Sequence, residues 1–165
     1  MNYLTITHCD QVNGDGNRVV LWVSGCSHHC FNCQNDYSWN PNCGIKFDNA
    51  AKEEIFKDLT EDWCSGITYS GGDPMFKDNR AEIISLAKEI REKFPNKTQW
   101  LYTGYTWEEI IKDPTMCEII KYVDVICDGE YKDELNDIEK PWVGSSNQRV
   151  IDVKKTIMDD VVIEI

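Results

Sequence analysis

The stretch RVVLWVSGCSHHCFNCQN, residues 18–35, decides which fold this sequence can adopt. Most of its first seven residues are apolar or β-branched, and they predict a buried strand. Three cysteines follow directly, Cys26, Cys30 and Cys33, with the spacing C-x3-C-x2-C. They lie in an irregular stretch, residues 25–47, and an irregular segment of that length within a domain is usually functional. The sequence therefore places a loop rich in thiols at the end of a buried strand.

Three closely spaced thiolates can hold a metal centre, but they leave it one ligand short. Iron–sulfur clusters are normally held by four cysteine thiolates. Three would leave one iron of a [4Fe–4S] cluster with an open coordination site, where chemistry is expected. Zinc is an alternative because His28, His29 or Cys43 could supply a fourth ligand, and a chance spacing without a metal is another. For the two histidines, ordinary loop residues are the simpler interpretation.

The composition limits the kind of protein. The chain has 165 residues, of which 41% are hydrophobic and 28% charged, and we expect a single domain over residues 1–165. The first residues lack the pattern of a signal peptide, and the longest apolar run, residues 19–23, is too short to cross a membrane. We therefore expect a cytoplasmic protein that does not bind membranes. A net charge of -12 without a basic stripe argues against nucleic acid as a partner.

Eight cysteines in a chain without a secretion signal argue for metal or redox chemistry rather than for a disulfide framework. Cys117 falls in a helical pattern and Cys127 ends a strand-like run, so both are predicted to be buried free thiols. For Cys9, Cys43 and Cys64 the sequence indicates no role, and incidental free thiols are the simpler interpretation.

Strand-like and helix-like segments alternate along the chain. A helix over 80–94 carries an apolar stripe, and Thr106 with Glu109 forms a capping-box pattern at the start of another. Strands are predicted at 18–24, 66–70, 99–102, 123–127 and 149–153, with a candidate sixth at 161–165, and a further helix at 49–61. This order predicts βαβ units and a parallel sheet, but the chain is short of the ~250 residues of a full barrel. We expect an α/β fold, a partial (open) βα barrel with a mostly parallel sheet of about five or six strands.

The predicted strands end in polar or glycine-rich sequence. The first runs into the cysteine stretch, and the next three are followed by GGDP at 71–74, TGY at 103–105 and DGE at 128–130. Ligands of parallel sheets collect at the carboxyl ends of the strands, so we expect these segments to share one site. Two glycines, Gly71 and Gly72, would let a ligand approach the backbone closely, and Asp73 could bind an ammonium group.

The cysteine spacing followed by a glycine-glycine-acid motif resembles the radical S-adenosylmethionine (radical SAM) superfamily. The resemblance implies that Cys26, Cys30 and Cys33 bind a [4Fe–4S] cluster and that S-adenosylmethionine completes the coordination of the fourth iron. It further implies that Gly71, Gly72 and Asp73 hold the amino group of S-adenosylmethionine. Many members carry an aromatic residue before the third cysteine, as a contact for adenine; Asn32 occupies that position here.

Longer runs resemble one branch of that superfamily, the activating proteins of the anaerobic (class III) ribonucleotide reductase. These runs are LWVSGC, SGGDP, LYTGYTWEEI, DGEY and WVGSSNQRVIDV, and the resemblance extends from about residue 9 to residue 153. The run NGDGNR, before the first strand, resembles the activating enzymes of glycyl-radical enzymes more generally. The resemblance implies further family-motif contacts at Asp15, Gly16, Arg18, Thr103, Asn147 and Arg149.

The branch implies an activity and partners. An external one-electron donor would reduce the cluster, and S-adenosylmethionine would be cleaved to methionine and a 5′-deoxyadenosyl radical. That radical would take hydrogen from a glycine of the large subunit of the anaerobic ribonucleoside-triphosphate reductase; a homodimer of the activase is compatible with the branch. Two alternatives are open, an activase of another glycyl-radical enzyme (or a small radical SAM enzyme acting on a metabolite) and a zinc-binding interaction module.

Overall fold

A computed structural model describes all residues, Met1–Ile165, as one seven-stranded sheet with helices. The strands are β1 (Asn2–Asp10), β2 (Arg18–Val23), β3 (Ile45–Lys46), β4 (Gly66–Gly71), β5 (Thr98–Tyr102), β6 (Val125–Asp128) and β7 (Arg149–Asp152). The α-helices are α1 (Asn49–Thr60), α2 (Arg80–Lys93), α3 (Trp107–Lys112) and α4 (Val153–Asp159), and three 3-10 turns cover Asp36–Ser38, Cys117–Lys121 and Asp133–Leu135. No helix of the chain has both the length and the apolar character needed to cross a membrane.

The strand order across the sheet is β3-β1-β2-β4-β5-β6-β7. The four central strands, β2, β4, β5 and β6, are mutually parallel, whereas β1, β3 and β7 pair antiparallel to their neighbours. The segment between β6 and β7 contains a single 3-10 turn and no crossover helix, which agrees with the antiparallel pairing of β7 because a parallel return needs a long crossover. The sheet does not close, so the predicted α/β fold with an open, mostly parallel sheet is confirmed.

Seven strands are present where five or six were expected. The unpredicted β1 has register shifts between Tyr3 and Thr5 and between Thr7 and Asp10, which disturb the alternation that marks a half-buried strand. The two residues of β3 are too short for any pattern. The expectation of a strand over 161–165 was wrong, because only one isolated bridge joins Glu164 to Ile151 and the preceding residues form α4.

The helices lie against one face of the sheet and enclose the main core. Val19, Leu21 and Val23 of β2 belong to this cluster of 26 buried residues, together with Ile55 of α1 and Ile90 of α2. The opposite face carries a smaller cluster of four buried residues, Trp100, Val125, Cys127 and Val150. Because side chains alternate along a strand, β5, β6 and β7 contribute to both clusters.

The helix boundaries follow from capping residues. Asp48 accepts a hydrogen bond from the Ala51 amide at 3.0 Å and starts α1. The capping box of Thr106 and Glu109 at the start of α3 is confirmed. The last residue of α2 lies shortly before Pro95, as the sequence predicted.

Candidate active site and metal centre

The carboxyl ends of β2, β4, β5 and β6 meet at one end of the sheet, as the sequence predicted. A cavity of about 140 Å³ lies there and is called the thiol cavity below. Its lining combines all three cysteines of the spacing with the strand-end segments: Cys26, Cys30, Cys33, Gly71, Gly72, Asp73, Thr103, Gly104, Gly129 and Glu130. The structure therefore brings together the cysteine loop (residues 25–47) and all four strand ends.

The three thiols are free and partly buried. The Cys26 amide donates to the Trp39 carbonyl at 3.1 Å, and the Cys33 amide donates to the Cys30 carbonyl at 3.2 Å, so the loop curls around the cavity. Burial raises the pKa of Cys26 to about 11 and also raises the pKa of Cys30. A bound cation would reverse this shift, since metal coordination deprotonates a thiol.

The positions of the thiols and of the two nearby histidines bear on the kind of metal centre that could form here. No three His, Cys, Asp or Glu side chains lie close enough together to hold one metal ion. Zinc would need four ligands within about 2.3 Å of one centre. The two histidines that could complete such a site are engaged elsewhere: His28 lies between Asp73 and Glu130, and His29 stacks on Trp39 with ring centroids 4.6 Å apart. Three spaced thiols around a cavity suit a larger group that spreads its ligands, as a [4Fe–4S] cluster does.

Unpaired polar atoms also indicate that this end of the sheet binds a polar group. Only three buried side-chain polar atoms of the chain lack a hydrogen-bond partner, Trp39 Nε1, Tyr102 Oη and Asn147 Oδ1. Trp39 and Tyr102 line the thiol cavity, and Asn147 lines the neighbouring strand-end groove described below. A buried polar atom without a partner costs about 1–3 kcal/mol, so these atoms in the two neighbouring cavities fit bound groups that would satisfy them.

Asp73 is 1% exposed and joins three elements. Its Oδ2 accepts hydrogen bonds from the Thr103 hydroxyl at 3.1 Å and the Gly104 amide at 3.2 Å, and it faces His28 Nε2 at 2.8 Å. Its Oδ1 accepts from the Met75 amide at 2.7 Å. A carboxylate offers about four acceptor positions, so most of this group is already used within the protein. The predicted contact between Asp73 and an ammonium group stays a prediction.

The two glycines, Gly71 and Gly72, allow two backbone segments to lie very close to each other. A Cβ on Gly71 would lie 2.7 Å from the Val23 carbonyl oxygen, and one on Gly72 would lie 2.5 Å from the Gly25 carbonyl oxygen. The Gly72 amide donates to the Val23 carbonyl at 2.8 Å, and the Asp73 amide donates to the Gly25 carbonyl at 2.7 Å. The Gly72 carbonyl itself accepts no hydrogen bond and remains available to a donor.

His28 organises the site, a role that the sequence did not reveal. Its Nε2 lies 2.8 Å from Asp73 Oδ2 and its Nδ1 lies 2.7 Å from Glu130 Oε1. Burial lowers the pKa of His28, but the hydrogen bonds to the two carboxylates outweigh it and raise the pKa to about 9. The ring also packs on Tyr105, with centroids 4.7 Å apart. His28 thus ties the cysteine loop to the ends of β4 and β6, and its partners are too distant in sequence for any local pattern to show them.

A second, larger cavity of about 730 Å³, the strand-end groove, adjoins the thiol cavity and shares His28, Gly104, Gly129 and Glu130 with it. Arg149 forms its far wall: the guanidinium donates to both oxygens of Glu108, at 3.1 and 2.8 Å, and also to Asp128. These hydrogen bonds raise the pKa of Arg149 further. The Asn147 amide nitrogen donates to the Glu130 carbonyl at 2.8 Å. Thr103, Asn147 and Arg149 therefore all border the site.

The other predicted contacts lie outside the thiol cavity. Asn32 has a positive φ of 53°, which asparagine tolerates, and its side chain donates to Asp133 at 3.1 Å. Asp15, Gly16 and Arg18 lie at the amino end of the parallel strands, opposite the cysteine loop, since Arg18 pairs with Gly66 at the start of β4.

Arg18 is fully buried and braces that amino end. Its guanidinium donates to the Thr68 hydroxyl at 2.8 Å and to the carbonyls of Ile67 and Thr98 at 2.7 and 2.9 Å. Burial lowers the pKa of Arg18 to about 10. In this structure the arginine links the strands β2, β4 and β5 rather than facing the cysteines.

The other five cysteines differ in how deeply they are buried. Cys127 is buried, as expected, and it also lines the thiol cavity. The expectation that Cys117 is buried was wrong, because residues 117–121 form a short 3-10 turn and leave its side chain partly exposed. Cys64 is buried, Cys43 is partly exposed and Cys9 is exposed.

Comparison with known proteins defines the class first. The family model described as a 4Fe-4S single cluster domain matches residues 12–151. Three curated relatives match along nearly their whole length. The anaerobic ribonucleoside-triphosphate reductase-activating protein of Enterobacteria phage T4 is 44% identical over 150 residues, 91% of this chain and 93% of the relative. The protein of that name from Escherichia coli (strain K12) is 38% identical, and the match covers 91% of this chain and 97% of the relative. The one from Pasteurella multocida (strain Pm70) is 37% identical, and the match covers 90% of this chain and 95% of the relative. This chain belongs to the family of anaerobic ribonucleoside-triphosphate reductase-activating proteins.

Proposed function

We propose that this protein is a radical SAM activase that generates a glycyl radical on the large subunit of an anaerobic ribonucleotide reductase. The observation that carries the proposal is the thiol cavity, where Cys26, Cys30 and Cys33 meet the ends of the parallel strands. Three thiolates leave a [4Fe–4S] cluster with one open iron. The matching family model supports the cluster, and the relatives named as activating proteins of that enzyme support the reductase.

The residues around the cavity have separate roles in this proposal. Cys26, Cys30 and Cys33 would hold the cluster. The free carbonyl of Gly72 and the remaining acceptor position of Asp73 would bind the amino group of S-adenosylmethionine. A bound cluster would supply one-electron chemistry: an external donor would reduce it, S-adenosylmethionine would be cleaved, and the resulting nucleoside radical would remove a hydrogen atom from a glycine.

The strand-end groove would let the reductase reach the thiol cavity. It opens beside the thiol cavity and is about five times as large, so a segment of the reductase could approach the reacting nucleoside there. Asn147 Oδ1 is an unpaired acceptor in this groove and fits a donor of the cosubstrate or of the partner. The groove needs no general acid or base for hydrogen-atom transfer. Of its carboxylates, Glu130 is paired with His28, and Glu108 and Asp128 are paired with Arg149.

The first test measures the chemistry directly. Anaerobically reconstituted protein is mixed with dithionite and S-adenosylmethionine, with and without the reductase, and 5′-deoxyadenosine is quantified. We expect product from the wild-type chain and a loss of at least about 100-fold in Cys30→Ala, because two thiolates cannot hold the cluster in its open-site form. Cys117→Ala is the matched control, since it removes a cysteine far from the cavity and should leave the yield unchanged.

The outcomes separate the alternatives. A glycyl-radical signal on the ribonucleotide reductase, absent when another glycyl-radical enzyme is offered, supports the proposed partner. Product together with a signal only on the other enzyme would reassign the activase. Stoichiometric zinc without iron or sulfide after anaerobic purification, and no 5′-deoxyadenosine, would replace the proposal with the zinc-binding interaction module.

A further inference from the structure

The cysteine loop surrounds its thiols with N–H donors. The Asn35 amide donates to Cys33 Sγ at 3.4 Å. The amides of His28 and His29 are directed at the Cys26 thiol and oppose the rise in its pKa, and the Tyr131 amide acts in the same way on Cys30. Main-chain amides arranged around sulfur are a common feature of iron–sulfur sites. Each of the three cysteines therefore already has at least one main-chain donor.

Two residues that line the same cavity carry a buried side-chain donor without a strong acceptor, Trp39 Nε1–H and Tyr102 Oη–H. Trp39 cannot easily turn away, because its carbonyl accepts the Cys26 amide and its ring stacks on His29 at an interplanar angle of 24°. Trp39 lies on the Cys26 side of the cavity, where both residues also line an outer pocket. Tyr102 lies on the Cys33 side, where these two line another pocket.

The protein offers neither group a good acceptor. The Tyr102 hydroxyl is in contact with the thiol of Cys127, and burial raises the pKa of that thiol to about 12, so the thiol is neutral. A neutral thiol is a weak acceptor. A [4Fe–4S] cluster carries inorganic sulfides and thiolates, which only accept hydrogen bonds, and such bonds help to set its reduction potential.

We infer that Trp39 and Tyr102 donate hydrogen bonds to sulfur atoms of the cluster held by Cys26, Cys30 and Cys33, and that they raise its reduction potential. The inference rests on the three-cysteine cluster of the proposed function and is independent of S-adenosylmethionine cleavage. A donor stabilises the more negative, reduced cluster more than the oxidised one, so its removal makes reduction harder. Trp39 and Tyr102 would thus set how easily the cluster is reduced.

The test is a redox titration, followed by electron paramagnetic resonance, of reconstituted protein without S-adenosylmethionine. Tyr102→Phe removes only the hydroxyl, and Trp39→Phe removes the indole N–H. At a fixed potential we expect each variant to lower the ratio of reduced to oxidised cluster about tenfold, equal to about 59 mV for a one-electron couple. Tyr37→Phe and Trp63→Phe are matched controls, because both side chains are exposed and neither lines the thiol cavity; their ratios should match the wild type within about twofold.

Iron and sulfide content is measured for every variant. Potentials unchanged in both Tyr102→Phe and Trp39→Phe, at full cluster content, would overturn the inference. If Trp39→Phe fails to take up a cluster, the Tyr102→Phe titration decides alone. An unchanged potential combined with weaker S-adenosylmethionine binding would also overturn it, since the acceptor would then be the cosubstrate's carboxylate. Shifted potentials in a protein that yields no 5′-deoxyadenosine would support the inference and refute the proposed function.

Discussion

His28 is the side chain on which the arrangement of the candidate site depends. It is a cation at neutral pH, because two carboxylates flank its ring, and its side chain is only 10% exposed. It compensates the buried charge of Asp73, which would otherwise face the cavity with main-chain and hydroxyl donors alone. The Tyr131 amide reaches the Cys30 thiol and Asn32 donates to Asp133, so the loop also contacts the segment between β6 and β7. At the residue scale, His28 adds the link to the ends of both β4 and β6, through Asp73 and Glu130.

Replacing this histidine should weaken the whole site. We expect His28→Ala to lower the free energy of unfolding by about 2–3 kcal/mol, because it leaves Asp73 buried with less compensation and removes the link to Glu130. Urea unfolding of the metal-free protein measures this loss. His29→Ala is the matched control, as His29 only stacks on Trp39 and makes no hydrogen bond through its ring. Equal losses in the two variants would contradict the role given to His28.

At the scale of helices and strands, the sequence predicts those elements that form through interactions between neighbouring residues. The parallel strands β2, β4, β5 and β6 are mostly buried, and the sequence pattern located each of them to within two residues at either end. The strand β1 was not predicted, because its register shifts disturb the alternation of buried and exposed residues that marks a strand. The positions of the cysteines and strand-end glycines in the site were predictable in the same way. The pairing of His28 with Glu130, 102 residues away, and the unpaired atoms of Trp39 and Tyr102 depend on tertiary contacts and were not.

The short helix α3 carries Glu108, which binds Arg149 across the strand-end groove. Its first turn is held by the capping box, so Thr106→Ala should lower the free energy of unfolding by about 1 kcal/mol. The unfolding slope in urea should not change, because the extent of the fold is the same. Thr60→Ala, at the exposed carboxyl end of α1, is the control and should differ from the wild type by less than about 0.5 kcal/mol. A Thr106→Ala loss no larger than the control's would show that the cap does not stabilise α3.

At the scale of the whole molecule, the open sheet must protect its two edges. On one side β1 is covered by the two residues of β3. On the other side the C-terminal segment covers β7: the Asp152 amide donates to the Ile163 carbonyl and the Ile165 amide to the Val150 carbonyl, both at 2.9 Å. An uncovered edge strand is a template for pairing between chains. The last five residues thus close the edge, although they are not a regular strand.

Deleting residues 161–165 tests this protection. The truncated chain should keep its fold but form dimers and larger species as its concentration rises, measured by size-exclusion chromatography with light scattering. Ile165→Lys is the control, because it changes an exposed side chain and keeps the main-chain hydrogen bonds. A truncated chain that stays monomeric over the range in which the wild type is monomeric would rule out this role of the segment.

The contacts that hold the cysteine loop in place involve residues far along the chain, and this affects how the protein is made. The three cysteines leave the ribosome early, but the carboxylates that hold His28 follow 45 and 102 residues later. At bacterial translation speeds of about 5–20 residues per second, the thiols wait roughly 5–20 seconds before Glu130 has been made. During that interval the nascent chain presents three unprotected, oxidisable thiols and no cavity. Delivery of iron and sulfide should therefore follow the release of the chain, and oxygen exposure during synthesis should be more damaging than exposure of the folded apoprotein.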